Sequence, residues 1–306
     1  ANPYVMGMGT QQGATRRLNL AQSFNPVGTN IGVFLAATLI LPKLNTATSG
    51  ERTNMNSEQL TSIISAELDA VMVPYVGMAC VLVFIWLAIA FTKTPNFCKQ
   101  KKISKHVEFS ATFKRLFKNT HYRFGVIAQF FNVAAQTCVW TFTIQYVMEA
   151  LDTNEVTGGS ILQYSMITFL VSRFVMTWLM GFIRPAKLLM ATSIIAMLLC
   201  FYMVKMPNIS GVWALVSISA CLSLMFPTIY AISLHGLGDD AKLGAAGLVM
   251  AILGGAIVPV FQAVFIDAYS VAFSYVVPAG CFIIVAAYAA FDLKTKVRVF
   301  NNVAPC

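Results

Sequence analysis

VMVPYVGMACVLVFIWLAIAFT, residues 71–92, contains no charged side chain and is long enough to cross a bilayer in one pass. A hydrocarbon core about 30 Å thick takes roughly 20 apolar residues per helix. A backbone in lipid must satisfy its own polar groups, which a helix does and an open strand does not. Seven further blocks approach the same length and character: 18–41, 124–148, 159–183, 187–206, 211–235, 242–266 and 271–293. They explain why the 306 residues are 58% hydrophobic and only 11% charged, where a soluble domain carries about a quarter charged residues. Strands of a closed barrel would be shorter and would alternate. The sequence therefore predicts an all-α membrane protein with about eight complete transmembrane helices plus the end of another. That end is ANPYVMGMG, residues 1–9: apolar, too short to span, and expected to be the final turns of a helix whose earlier part precedes residue 1. No signal-peptide order of basic region, apolar core and cleavage site is present there.

A net charge of +9 would suit nucleic acid if it were clustered on one soluble face. It is instead distributed by topology. With alternate loops on opposite sides and Arg16 and Arg17 inside, the inner loops hold 17 of the 21 Lys and Arg, nine of them from Lys93 to Arg123. The outer loops hold Lys43, Arg52 and Lys205 together with eight of the twelve acids. Basic residues are retained on the cytoplasmic side during insertion, so the C-terminus is expected in the cytoplasm of a multi-pass protein of a bacterial inner membrane. No nucleic-acid partner is expected. Within the basic segment 93–123, Phe109, Phe113, Leu116 and Phe117 recur at helical spacing with Lys114, Arg115 and Lys118 between them. This pattern suits an amphipathic helix on the membrane surface, or a solvated basic linker. Either makes 93–123 a boundary, with 1–92 before it and six full spans in 124–306 after it. The long polar stretch 42–70 is expected to be a surface loop.

Polar side chains inside lipid are unfavourable unless they face a cavity or another helix. In 124–148, Gln129, Asn132, Gln136, Trp140 and Thr143 fall on one helical stripe, and in 18–41 Asn19, Gln22, Asn25 and Thr29 form a second. Amides joined by an indole fit hydroxyl-rich ligands, the ring stacking on a pyranose face; bonding of helix to helix is the alternative. Arg173 is the charge deep within a complete span, with no acid at comparable depth beside it. It is expected to bond carbonyls or to snorkel, in a structural or gating role. Gly247, Ala251 and Gly255 form a small-residue face suited to close helix approach. Pro227 and Pro259 interrupt spans. Seven cysteines without a CxxC pair read as packing residues, and His106, His121 and His235 are too scattered for a metal site.

The stretches ANPY (1–4), RLNLAQSFN (17–25), AQTCVW (135–140), FPTIY (226–230) and LGDDAKLG (237–244) resemble the fucose permease branch of the major facilitator superfamily, and the similarity runs through the whole chain. The resemblance implies a major facilitator-type bundle of which this chain carries helices 4–12 of 12, the remainder of an N-terminal half in 1–92 and a C-terminal half in 124–306. It further implies proton-driven sugar uptake, with the proton as coupling ion and no other cofactor. Gln22 and Asn25 match cavity positions of helix 5, and Gln136 and Trp140 match helix 7. Gln129 and Asn132 join them on the α-helical stripe as substrate-binding candidates. The family's proton-carrying carboxylate of helix 4 lies just upstream of the Ala-Asn-Pro motif, so it would precede residue 1. Phe226 stands where some relatives have Tyr, and Asn132 occupies a variable place, both of which bear on which sugar is taken.

The expected function is L-fucose uptake by alternating access, in a monomer whose partners are a small sugar and the bilayer. A related glucose/galactose permease and a non-transporting sugar sensor are the alternatives. An enzyme is not expected, since the spans offer no nucleophile–base pair, metal ligands or paired carboxylates.

Overall fold

The computed structural model describes residues 2–7, 13–35, 39, 56–91 and 109–302. Residue 1, the 93–108 part of the basic segment and the 42–55 part of the expected surface loop lie outside them. The helices are α1 (Asn2–Gly7), α2 (Ala14–Ser23), α3 (Asn25–Leu35), α4 (Ser57–Phe91), α5 (Phe109–Lys118), α6 (Thr120–Thr141), α7 (Thr143–Leu151), α8 (Glu155–Leu179), α9 (Pro185–Lys205), α10 (Ile209–Leu222), α11 (Met225–Leu234), α12 (Ala241–Met250), α13 (Gly254–Ala268), α14 (Val271–Ser274) and α15 (Val276–Asn302). Among the described residues there is no strand.

Two compact units are present: Ala1–Pro26 with Gln100–Cys306, and Val27–Lys99. In the second, α4 begins at Ser57 and runs unbroken past Pro74. Residues 57–70, expected to be loop, are therefore helix. Their polar composition marks a helix extending beyond the apolar block, since polarity alone does not stop a helix that lacks an interior Gly or an early Pro.

Among the described residues, six segments are long and apolar enough to cross a membrane: Glu58–Phe91, Glu155–Leu179, Pro185–Lys205, Ile209–Leu234, Ala241–Ala268 and Val271–Thr295. The two other expected spans differ for physical reasons. Block 18–41 breaks at Phe24, ahead of Pro26, into α2 and α3. Block 124–148 breaks at Phe142, and Gln129, Asn132 and Gln136 make α6 less apolar than its neighbours. Breaks also divide α10 from α11 at Ser223–Leu224, α12 from α13 through a 3-10 turn at Ala251–Leu253, and α14 from α15 at Tyr275.

In the larger unit, four helix starts are fixed by a side-chain cap. Asn119 accepts from Tyr122 N–H at 3.1 Å, Asn154 from Thr157 N–H at 3.1 Å, Asn208 from Ser210 N–H at 2.9 Å and Ser270 from Phe273 N–H at 3.1 Å. Such caps satisfy donors that the helix leaves free. The core is a continuous cluster that includes Tyr146, Tyr275, Phe282, Leu215 and Met203, and a smaller one gathers Leu18, Leu116, Tyr122, Tyr230 and Leu248. Cys138, Cys200, Cys221 and Cys281 are buried free thiols. Most buried hydroxyls turn back one turn along the chain: Thr143 to Val139 O across the α6–α7 break, and, within their own helices, Thr177 to Arg173 O, Thr192 to Leu188 O, Ser193 to Leu189 O and Ser233 to Ile229 O.

Helices without a hydrophobic force between them associate by close packing, and glycine sets the distance here. Gly247 faces the Tyr122 hydroxyl, and a Cβ on Gly255 would stand 2.6 Å from Thr137 Oγ1. Both therefore lie against α6, although the intervening 3-10 turn interrupts the regular stripe. Backbone comes closest at Gly254, where a Cβ would meet the Phe130 carbonyl. Gly254→Ala is expected to destabilise by about 1–3 kcal/mol, read as a lower unfolding midpoint in detergent. Gly159→Ala, which has open space around its Cβ, is expected to be neutral or slightly stabilising; equal losses at both would refute the close approach.

The amphipathic expectation for 109–118 is met by α5, where Leu116 is buried while Phe113 and Phe117 are exposed and stacked at 6.2 Å. Arg115 reaches the turn before α12, donating to Asp240 through Nη2 at 2.7 Å and Nε at 3.0 Å. Those hydrogen bonds hold the Asp240 carboxyl below its usual value. A depressed carboxylate contributes stability above its unfolded pKa and loses it as pH falls through the folded one. Because the pair is largely solvated, Arg115→Ala should cost no more than about 1 kcal/mol near neutral pH. The difference between the two proteins should shrink in acid below the ordinary carboxylate value, measured by thermal unfolding across a pH series.

Candidate functional site

The α6 stripe points its residues into different surroundings. Gln129 and Asn132 are 0% and 1% exposed, and neither oxygen nor nitrogen of either amide has a hydrogen-bond partner among the described residues. Gln136 is half-buried. Trp140 is also half-buried, but its Nε1–H donates to Ser219 Oγ at 3.2 Å and its ring meets Phe169 edge-on at 5.0 Å. Thr143, at the end of the stripe, is spent on Val139 O within its own stretch.

The α2 stripe is wired to the helices that carry α8 and α11. Asn19 is fully buried and donates to Thr15 O at 2.9 Å and to Thr228 Oγ1 at 3.4 Å. Ser23 donates to Asn19 O and lies 3.4 Å from Thr177 Oγ1. Gln22 Nε2 donates to Asn2 Oδ1 at 2.9 Å, which brings α1 onto α2. Asn25 lies exposed just past the break, and Thr29 belongs to the other unit.

Arg173 joins these parts. It is 5% exposed; its Nε donates to Ser223 O at 2.6 Å and its Nη1 to Gln22 O at 3.1 Å. Its guanidinium carbon sits 4.9 Å from the centre of the Phe169 ring, a cation–π contact strengthened by burial. Of the two expected arrangements, carbonyl bonding is the one present. A continuous ladder thus runs Ser219–Trp140–Phe169–Arg173–Gln22–Asn2, linking the α6 stripe to the α2 stripe by way of α8.

Sequence reasoning missed several members of this region. Phe169, Ser219 and Thr177 give no signal alone, because a phenylalanine or hydroxyl in a span is ordinary. Phe226 and Tyr230, in the FPTIY stretch, stack at 6.4 Å. At the far end of α6, His121 Nε2 lies 2.8 Å from Asp292 Oδ1, and that carboxylate is fully buried. Asp292 stands at the very end of its apolar block, where sequence reading places it at the water boundary rather than inside the bundle. Tyr288 lies one turn away, its hydroxyl 2.8 Å from Ser233 Oγ.

Broken membrane helices around a buried polar ladder define a multi-pass membrane protein of the transporter class. No protein-family profile matches the chain. It is 37% identical over 299 residues to an L-fucose-proton symporter of Haemophilus influenzae, covering 94% of this chain and 69% of that protein. It is 34% identical to the L-fucose-proton symporter of Escherichia coli, covering 96% of this chain and 68% of that one, and 30% identical, with the same two shares, to a glucose/galactose transporter of Brucella abortus. Its structure superposes on a crystal structure of FucP, a major facilitator superfamily transporter in the outward conformation, with a TM-score of 0.88 and 32% identity, covering 95% of this chain and 71% of that one. The chain belongs to the major facilitator superfamily, in the branch that holds the L-fucose-proton symporters.

The Trp140–Ser219 contact is the polar bond between the stripe and α10. Trp140→Phe keeps the ring and should cost about 1 kcal/mol. Ser219→Ala should then cost less in the Trp140→Phe background than alone; strictly additive losses in thermal unfolding would show that the bond contributes nothing.

Proposed function

We propose that the chain forms part of a proton-coupled symporter that takes up L-fucose by alternating access, with the sugar held along the α6 stripe. The observation that carries this reading is the state of Gln129 and Asn132, buried amides whose donors and acceptors find no partner among the described residues. A buried unpaired polar group costs about 1–3 kcal/mol, so amides kept in that state fit a ligand rich in both hydroxyl donors and acceptors. Gln22, Asn25, Gln136 and Trp140 complete the proposed site, the indole offering a face to the pyranose while its N–H stays on Ser219. Arg173, Gly247 and Gly255 serve structure and gating. The relatives named as L-fucose-proton symporters support the sugar and the coupling ion, and no further cofactor is invoked.

The proposed organisation is the remainder of an N-terminal six-helix half in 1–92, an inter-half loop in 93–123 and a C-terminal half in 124–306. The basic loops and the C-terminus face the cytoplasm of a bacterial inner membrane, in accord with the positive-inside rule, and the protein works as a monomer without a nucleic-acid partner. A glucose/galactose specificity is the second reading, favoured by the Brucella abortus relative. Uptake of labelled fucose against galactose, with and without a proton gradient, separates the two.

Gln129→Leu and Asn132→Leu test the site itself. If the amides wait for sugar, each leucine should weaken sugar binding at least about tenfold, while the unfolding midpoint without sugar holds or rises. If instead they bond helix to helix, the midpoint should fall with binding unchanged.

A further inference from the structure

The two carbonyls that Arg173 engages share a feature that the fold alone does not require. In an α-helix a carbonyl accepts from the N–H four residues ahead. For Gln22 that residue is Pro26, and for Ser223 it is Pro227. Proline has no N–H, so each carbonyl loses its ladder donor. In the ladder beyond the second break, Thr228 N–H resumes bonding to Leu224 O at 3.2 Å. The Phe24 N–H turns toward Gln22 O across the tight bend that ends α2, in place of the regular ladder bond.

We infer that Arg173 is a clamp that stands in for the two backbone donors removed by Pro26 and Pro227, tying the α2–α3 kink to the α10–α11 kink. The planar fork of a guanidinium presents several donors in fixed directions, so Nε serves Ser223 O while Nη1 serves Gln22 O. The Phe169 ring holds the plane of the fork from one side. A buried arginine with carbonyl partners in place of a carboxylate is thereby accounted for: the side chain supplies a hydrogen where the proline four residues ahead has none. The clamp is also a positioning device, because Asn25 and Phe226 stand immediately before the two prolines. That last clause rests on the sugar-site reading; the clamp itself does not.

The test is a cycle between Arg173→Met and the pair Pro26→Ala plus Pro227→Ala, made in the full chain and read as the unfolding midpoint in detergent without sugar. Alanine returns an N–H to each ladder, so Arg173→Met should lower the midpoint of the wild-type protein and cost less than about half as much in the double-alanine background. Arg173→Lys keeps the charge but loses the fork, and is expected to behave as Met does. Equal losses in both backgrounds, or a lysine variant indistinguishable from wild type, overturn the assignment. Should the proline variants not accumulate in membranes, amide hydrogen exchange decides on Arg173→Met alone. Faster exchange around both Phe24–Asn25 and Thr228 supports the clamp; faster exchange at one or neither overturns it. Sugar binding is measured beside each variant, so a failed sugar site and a failed clamp give different results.

Discussion

A backbone carbonyl within a bilayer has no water to accept from, and everything else in this protein is arranged around that scarcity of donors. Straight helices meet it by their own ladder. This chain departs from straight helices repeatedly, at Phe24, Phe142, Ser223, Ala251 and Tyr275, and beside the first and third of these Pro26 and Pro227 remove the ladder donors of two carbonyls. Arg173 serves both at once. Burying its charge is costly; the carbonyl dipoles and the Phe169 face offset that cost locally, so no carboxylate is required beside it. The broken helices and the buried arginine are two aspects of one arrangement.

The same constraint sharpens the meaning of Gln129 and Asn132. Among the described residues, Ser165 Oγ and the amide oxygens of Asn19 and Gln262 are buried single atoms without a partner, whereas Gln129 and Asn132 lack one at both atoms of the amide. Neighbouring Trp140 shows the opposite condition, its N–H already committed to Ser219. One stripe on one helix thus contains both satisfied and unsatisfied groups, and only the second kind leaves free energy available to a ligand.

The six apolar spans were legible because a bilayer imposes a minimum length on any chain that crosses it, and VMVPYVGMACVLVFIWLAIAFT meets that length without help from its neighbours. The stripes were legible because polar residues at helical spacing are expensive in lipid. The breaks were legible only in part. Pro26 and Pro227 announce which carbonyls lose their donors, yet nothing near them says that an arginine far along the chain returns the hydrogen. The break at Phe142 has no proline or glycine beside it to announce it. Residues 57–70 misled because a polar stretch next to an apolar one looks like a loop, whereas a helix continues through it. Asp292 misled in the other direction: at the end of an apolar block it looks hydrated, but His121 from the start of α6 covers it.

The hydroxyls that bond back to their own helix leave a mark on how the bundle can move. Thr143, Thr177, Thr192, Ser193 and Ser233 each spend their hydrogen on a carbonyl one turn behind, so these five hydroxyls have no hydrogen left for a neighbouring helix. Where no other side chain crosses, sliding along a seam trades one set of van der Waals contacts for another of similar depth, with no hydrogen bond to break first. Friction is then concentrated at the few places where a side chain reaches across, which makes those places the natural brakes of the machine.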